Sequence, residues 1–355
     1  MTLLTIPEIK RAAQAQESRV EACFHAQADA VTPKQTRDGK PYWELTAADA
    51  EGKLTLRAWS DSPAYAFCES LPQGAFVEVE GEFSAHPAFG VEARRWTGRV
   101  LEETEVELLL GGPATLREKQ ARDFETLRTL LGSIGDPRLH AICRMFLEEF
   151  GDRFRRTAAA RTYHHARRGG LVEHVAQMLR AADALAGVYP QLNRDLLLSG
   201  VFFHDCGKLW ECCPEPRGFA MPYDERGELI GHISIGIEAI NALWRKLFAS
   251  EEAAGWAGLT PSSEDVRNHL IHLIAAHHGE MAFGSPVLPK TPEAIALHHI
   301  DNLDAKLEMM SSAYATGATV APRILERVRP LPANLVVPLA KFTPPPGESS
   351  SRSGE

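Results

Sequence analysis

The chain changes its hydrophobic rhythm once. Over residues 19–101 apolar and polar positions alternate, and the segments 20–24, 42–46, 54–59, 75–83 and 89–93 read as five short strands. An Asp38-Gly39 hairpin signal and a turn over 49–52 separate the first three, and a helix over 62–69 interrupts the series. Residues 1–14 read as a short lead-in, one helical turn or an edge strand. After the Gly111-Gly112-Pro113 breaker the period becomes helical, with apolar stripes over 124–131, 139–150, 171–185, 196–210, 233–248, 266–276 and 294–313. Thr115 with Glu118 has the spacing of a capping box. From 331 onward Pro, Ser, Gly and charge predict a largely disordered tail. The expected architecture is multidomain α and β: a five-stranded barrel at 15–108, a linker at 109–123, an all-α helical bundle at 124–330 and the tail at 331–355.

Charge and composition narrow the function. The 355 residues carry a net charge of −9, which argues against a protein that coats nucleic acid non-specifically but not against one that holds it in a local groove. No apolar run approaches the roughly 18 residues of a membrane span, and the N-terminus lacks the plan of a signal peptide, so no membrane partner is expected. Six scattered cysteines without Cys-x-x-Cys spacing suit a reducing cytoplasm. Composition leaves room for a homo-oligomer.

The candidate chemistry centres on His204-Asp205-Cys206-Gly207-Lys208, at the end of the run 196–203. That run has no polar face, so its helix is buried, and a His and an Asp at its end need partners. A divalent cation is the natural one. Lys208 follows Asp205 by three residues and His204 by four, one helical turn, where an ammonium suits a phosphate oxygen. Other helices of the same half bring His164, His165, His174, His232, His272, His277, His278, His298, His299, Asp301 and Asp304 to or near apolar stripes. Imidazole and carboxylate donors without thiolates suit Mn2+, Fe2+, Co2+, Zn2+ or Mg2+ in a reactive centre rather than a structural zinc site. Five or more candidate ligands exceed one ion, so two ions sharing a carboxylate are expected, with Asp205 and Asp301 as the bridging and second carboxylates. The basic run Arg153, Arg155, Arg156, Arg161, Arg167 and Arg168 leads toward this cluster.

The strand-turn-aromatic-strand order of the first half resembles an OB-fold. That resemblance implies single-strand binding on strands two and three, with Tyr42, Trp43 and Trp59 for stacking and Lys34, Arg37 and Lys40 for phosphates. Of the three aromatics, Trp59 is the one most expected in the barrel core. The pentapeptide resembles the signature of the HD metal-dependent phosphohydrolases. Together with residues 164–174, Gly231-His-Ile-Ser-Ile-Gly236 and 277–304, the chain is similar to the YhaM-type 3′→5′ exoribonuclease family, which joins an OB-fold to an HD domain. The resemblance implies Mn2+-dependent release of nucleoside 5′-monophosphates from the 3′ ends of RNA or single-stranded DNA. It implies a first metal on His174, His204, Asp205 and Asp301, and a second on Asp205, His232 and His277 or His278. Lys208 would contact the scissile phosphate, and His165 and Glu280 would orient substrate or water. Arg167, Arg168 and Lys290, the last in the loop 284–290, are further substrate contacts.

Two other readings are weaker. An HD phosphohydrolase of nucleotides or cyclic nucleotides would, in its cyclic-dinucleotide form, carry a Gly-Tyr-Pro element after the His-His pair, where Gly279-Glu280-Met281 stands. An OB-fold nucleic-acid-binding protein with a non-catalytic HD scaffold would not need every ligand position filled.

Overall fold

The computed structural model describes residues 1–15, 19–86 and 90–341; the tail expectation for 342–355 lies outside them. The first half is built on an antiparallel sheet. Strand β1 (Thr2–Leu3) is followed by α1 (Ile6–Ala15), then β2 (Val20–Gln35), β3 (Pro41–Ala48), β4 (Lys53–Trp59), α2 (Pro63–Ser70), β5 (Phe76–His86) and β6 (Gly90–Val100). The order across the sheet is β4-β3-β2-β5-β6, with β1 added in parallel beside β2. Period-two alternation decides which face is inside. Phe24, Leu45, Leu56, Val77, Val79 and Phe83 are fully or almost fully buried, and Ile6, Ile9 and Ala13 of α1 close one end of that core.

The expected five-stranded barrel is therefore present as an open, six-stranded sheet. Among the described residues no ladder joins β4 to β6. Instead the buried Trp96 of β6 donates its indole N–H to the Arg57 carbonyl of β4 at 3.0 Å. Helix α2 packs against both strands at this seam.

The second half is mostly helical: α3 (Glu103–Gly111), α4 (Ala114–Gly132), α5 (Pro137–Arg156), α6 (Gly170–Val188), α7 (Arg194–Phe203), α8 (Lys208–Glu211), α9 (Glu225–Phe248), α10 (Ser263–Ala276) and α11 (Pro292–Thr316). All of residues 196–203 in α7 are buried. Phe202 and Phe203 meet the Phe146 ring of α5 edge-on at 5.5 and 5.4 Å, which fixes the end of α7 where His204 begins.

Several sequence expectations need correction. Helix 196–210 is two helices, because the chain tightens after Phe203 into bonds from Cys206 N–H to Phe203 O and from Lys208 N–H to Asp205 O. Residues 109–123 are helical apart from Gly112-Pro113. Thr115 does not cap α4, whose N-cap is Pro113; the capping box lies at Glu102 and Glu105 of α3 instead. Residues 319–336 contain a small sheet of β7 (Thr319–Ala321), β8 (Ile324–Leu325) and β9 (Leu335–Val336), anchored by buried Leu325, Leu331 and Leu335. Trp59 is 40% exposed rather than in the core, and Trp43 instead packs inward with its indole N–H buried and unbonded.

The two halves are joined by specific bonds. Gln27 of β2 is buried, and its Oε1 accepts the N–H of Phe219 at 2.7 Å and of Ala220 at 3.0 Å.

Candidate metal centre

Four segments converge on Asp205. His174 stands one turn into α6, His204 and Asp205 sit in the turn after α7, His277 ends α10, and Asp301 lies on α11. The fifth contributor, His232, is placed by a kink: Gly231 within α9 has φ 68°, a conformation that favours glycine, and His232 opens the second part of that helix.

Each histidine is held from behind. His204 Nδ1 donates to Val201 O at 2.7 Å and His277 Nδ1 to Ile274 O at 2.8 Å. His232 Nδ1 lies 3.0 Å from Glu211 Oε2, and His174 Nδ1 lies 2.7 Å from Asp304 Oδ2. These partners fix the tautomer, so each Nε2 lone pair points into the site. The four Nε2 atoms and Asp205 Oδ1 are all buried without a hydrogen-bond partner in the protein. Four orphaned imidazole nitrogens and one carboxylate oxygen, gathered around Asp205, fit a divalent cation.

Asp205 divides the cluster. Its Oδ2 lies 3.2 Å from His204 Nε2 and 3.9 Å from His174 Nε2, while its Oδ1 faces His232 Nε2 at 3.5 Å and His277 Nε2 at 3.7 Å. Asp301 Oδ1 stands 3.3 Å from His174 Nε2. His278 has a ligand atom close to those of His232 and His277, so both members of the His-His pair border the same side.

The electrostatics call for positive charge. Burial opposes protonation of His174, yet the carboxylates of Asp301 and Asp304 beside its two ring nitrogens raise it to about 9, so that a proton competes with a cation for its Nε2. Burial also works against the carboxylate of Asp205, but Lys208 and then His204 outweigh it and hold Asp205 well below the usual range. Lys208 Nζ lies 2.6 Å from Asp205 Oδ2 and donates to Ala159 O at 2.5 Å. Burial disfavours its charge, but Asp205 raises it above the ordinary lysine value.

A cavity of about 200 Å3 opens over this cluster, and Asp205, Lys208, His278 and Asp301 line it. Five further residues line it: His164, Phe283, His298, Asn302 and Ala305. His164 is depressed to about 3 by burial and by Lys208, so it is neutral near pH 7. Phe283 is 64% exposed, and its carbonyl accepts from His278 Nδ1 at 2.7 Å.

The other expected contacts are placed differently. His165 turns away from this cavity: its Nε2 lies 3.1 Å from Asp304 Oδ2, behind His174, and it lines a larger cleft of about 830 Å3 between the sheet and the helices. Arg167, on the same cleft, is bound to buried Glu173 at 2.7 Å and to Glu308 at 3.2 Å. Arg168 donates to the carbonyls of Glu215, Gly218 and Pro216. Glu280 is exposed, and Lys290 donates its backbone N–H to His272 rather than reaching the cavity. On the sheet, Tyr42 and Trp59 meet at 4.9 Å on the outer face, and Lys40 is exposed in the adjoining turn.

Comparison with known proteins agrees with this arrangement. Residues 171–306 match the HD domain family. The chain is 33% identical over 300 residues to the 3′-5′ exoribonuclease YhaM of Bacillus subtilis (strain 168), covering 82% of this chain and 84% of that protein. It is 31% identical over 302 residues to the protein of the same name from Geobacillus sp. (strain WCH70), covering 84% and 83%. An HD-family match over the helical half, together with sequence identity that runs along most of this chain and of its relatives, identifies the family: this protein belongs to the 3′-5′ exoribonuclease YhaM family of HD-domain phosphohydrolases.

Proposed function

We propose that the protein is a metal-dependent 3′→5′ exoribonuclease that releases nucleoside 5′-monophosphates from single-stranded RNA and also accepts single-stranded DNA. The observation that carries this reading is the division of Asp205, whose two oxygens face separate histidine groups. His174, His204, Asp205 and Asp301 would hold one cation, and Asp205, His232, His277 and His278 a second; Mn2+ suits these donors. Such a pair, when bound, lowers the pKa of water and neutralises charge on the phosphoryl and leaving oxygens.

The protein's own groups supply the rest. Nδ1 contacts to Val201, Ile274, Glu211 and Asp304 keep the imidazoles oriented without reorganisation. Lys208 presents a charged ammonium at the cavity, where it binds a non-bridging phosphate oxygen. Neutral His164 lines the cavity beside it without adding charge; as the oxygen of water attacks phosphorus, the proton that water gives up is the one the leaving oxygen gains. The bond from phosphorus to the 3′ oxygen of the penultimate nucleotide breaks, and that oxygen takes up a proton to become the new 3′ hydroxyl. A cavity of about 200 Å3 has room for the phosphate and sugar of one terminal nucleotide, which favours an end over an internal site.

The strand would reach this end along the sheet. Tyr42 and Trp59, Glu44 and Arg57, and Thr46 and Thr55 are successive outward-facing pairs of β3 and β4. Thr46 and Lys53 border the 830 Å3 cleft, whose opposite wall carries Arg161, Tyr163 and Tyr223. Arg161 lies 4.2 Å over the Tyr223 ring, a surface suited to stacking an unpaired base.

The test is incubation of 5′-labelled single-stranded RNA with the protein and Mn2+, beside Asp205→Ala. A ladder shortening from the 3′ end, absent in the variant, is expected. Internal cuts, or an untouched oligonucleotide, would overturn the reading.

A further inference from the structure

A third cavity, of about 390 Å3, lies where the turn between β3 and β4, the Gly111-Gly112 bend and the helices meet. Four guanidinium side chains line it: Arg117 of α4, Arg155 and Arg156 at the end of α5, and Arg168 before α6. It shares no lining residue with the metal cavity or the large cleft.

What distinguishes these arginines is how they are held. Arg168 donates to the carbonyls of Glu215 and Gly218 at 3.0 Å and of Pro216 at 2.9 Å. Arg156 donates to Pro214 O at 3.1 Å, and Arg117 to Gly112 O at 3.1 Å and Gly111 O at 3.3 Å. Arg155 lies 4.9 Å over the Phe124 ring. Carbonyls and a ring orient a guanidinium without cancelling its charge. Among the described residues none of the four has a carboxylate partner, whereas neighbouring Arg167 has two. Asp152 also borders the cavity, but it pairs with none of them. Burial, and after it the field of Arg156, depresses the Arg168 guanidinium, as expected of like charges crowded together.

We propose that this arginine pocket is a binding site for a phosphate-bearing anion, separate from the reaction centre. Planar guanidinium forks match phosphate oxygens in pairs, and an anion would relieve the mutual repulsion of the four. Two sources share this chemistry: an internucleotide phosphate of a bound strand, in which case the site extends the exonuclease reading, or a free polyphosphate or nucleotide.

The test uses Arg117→Gln/Arg155→Gln, which leaves Arg156 and Arg168 and their carbonyl contacts in place. Binding of a 24-nucleotide RNA in EDTA is measured across salt concentrations, and melting is followed with and without millimolar pyrophosphate. If a strand occupies the pocket, affinity falls about tenfold, and the salt slope becomes shallower by roughly 1.4, about 0.7 for each lost contact. Hydrolysis of a trinucleotide stays at the wild-type rate. If a free anion occupies it, pyrophosphate raises the melting temperature of the wild type and not of the variant. Restoration by Arg117→Lys/Arg155→Lys ties either effect to charge. Unchanged affinity, slope and pyrophosphate response in a folded variant would overturn the proposal. Wild-type protein that responds to pyrophosphate but leaves RNA intact would sink the exonuclease reading while supporting the anion site.

Discussion

Gly207 lies so close to His232 that a Cβ on it would fall 1.9 Å from the His232 carbonyl oxygen. The turn after α7 therefore packs backbone-to-backbone against the start of the second part of α9, which is how Asp205 and His232 come to face one another. Gly207→Ala must push these segments apart. Overpacking of this kind costs about 1–3 kcal/mol, and on the proposed two-cation reading the expected result is loss of metal on the His232 side with retention on the His174 side. Metal content of the purified variant, at or near half that of wild type, checks it.

Among the described residues Asp304 bonds to His174 and His165, and faces the site through them. Asp304→Asn keeps the shape but removes the carboxylate that orients Nδ1 of His174, and loss of such a partner weakens metal affinity about 10–100-fold. Calorimetric titration with Mn2+ reads this directly. An unchanged affinity would show that His174 is oriented by its packing alone.

Phe283 offers an exposed ring at the rim of the metal cavity. Stacking of a base on an aromatic ring contributes about 1–3 kcal/mol, so Phe283→Ala should raise KM about tenfold and leave kcat nearly unchanged. The carbonyl that His278 uses belongs to the backbone and survives the substitution.

The N-terminus of α5 provides a stability prediction remote from the chemistry. Asp136 caps the helix by accepting from the Arg138 and Leu139 N–H groups, and its Oδ2 lies 2.7 Å from the guanidinium of buried Arg138. Burial opposes its charge, but Arg138 and the backbone donors hold its carboxyl below the ordinary value. A depressed folded-state pKa means that the stabilisation is full above the unfolded pKa of about 4 and is lost as pH falls through the folded value. Asp136→Asn, which can still cap, should cost about 2–4 kcal/mol at pH 7 by leaving Arg138 without its carboxylate. Denaturant melts of both proteins should converge as pH drops below about 4.

Much of the site could be read from sequence because its residues are either contiguous or carried on long stripes. His204, Asp205 and Lys208 sit in one pentapeptide, and His174 and Asp301 fall on helices whose apolar periods are unambiguous. Sequence pattern is silent where one residue of register decides the outcome. Trp43 and Trp59 exchange their expected faces because neighbouring strand positions point in opposite directions. His164 rather than His165 borders the metal cavity for a similar reason, the backbone at His165 having φ 45° and directing that ring toward Asp304. The roles of Arg167 and Arg168 depend on Glu173, Glu308 and the carbonyls of 215–218, partners that no local pattern reveals.

The buried amide of Gln27 grips two successive N–H groups of the loop after α8. That contact ties the sheet to the helical half and favours a fixed separation between the Tyr42–Trp59 step and Asp205. On the exonuclease reading the enzyme then behaves as a ruler. Shortening proceeds while the strand still spans that interval, and slows abruptly once its free end slips off the aromatic step, leaving residual fragments of one characteristic length.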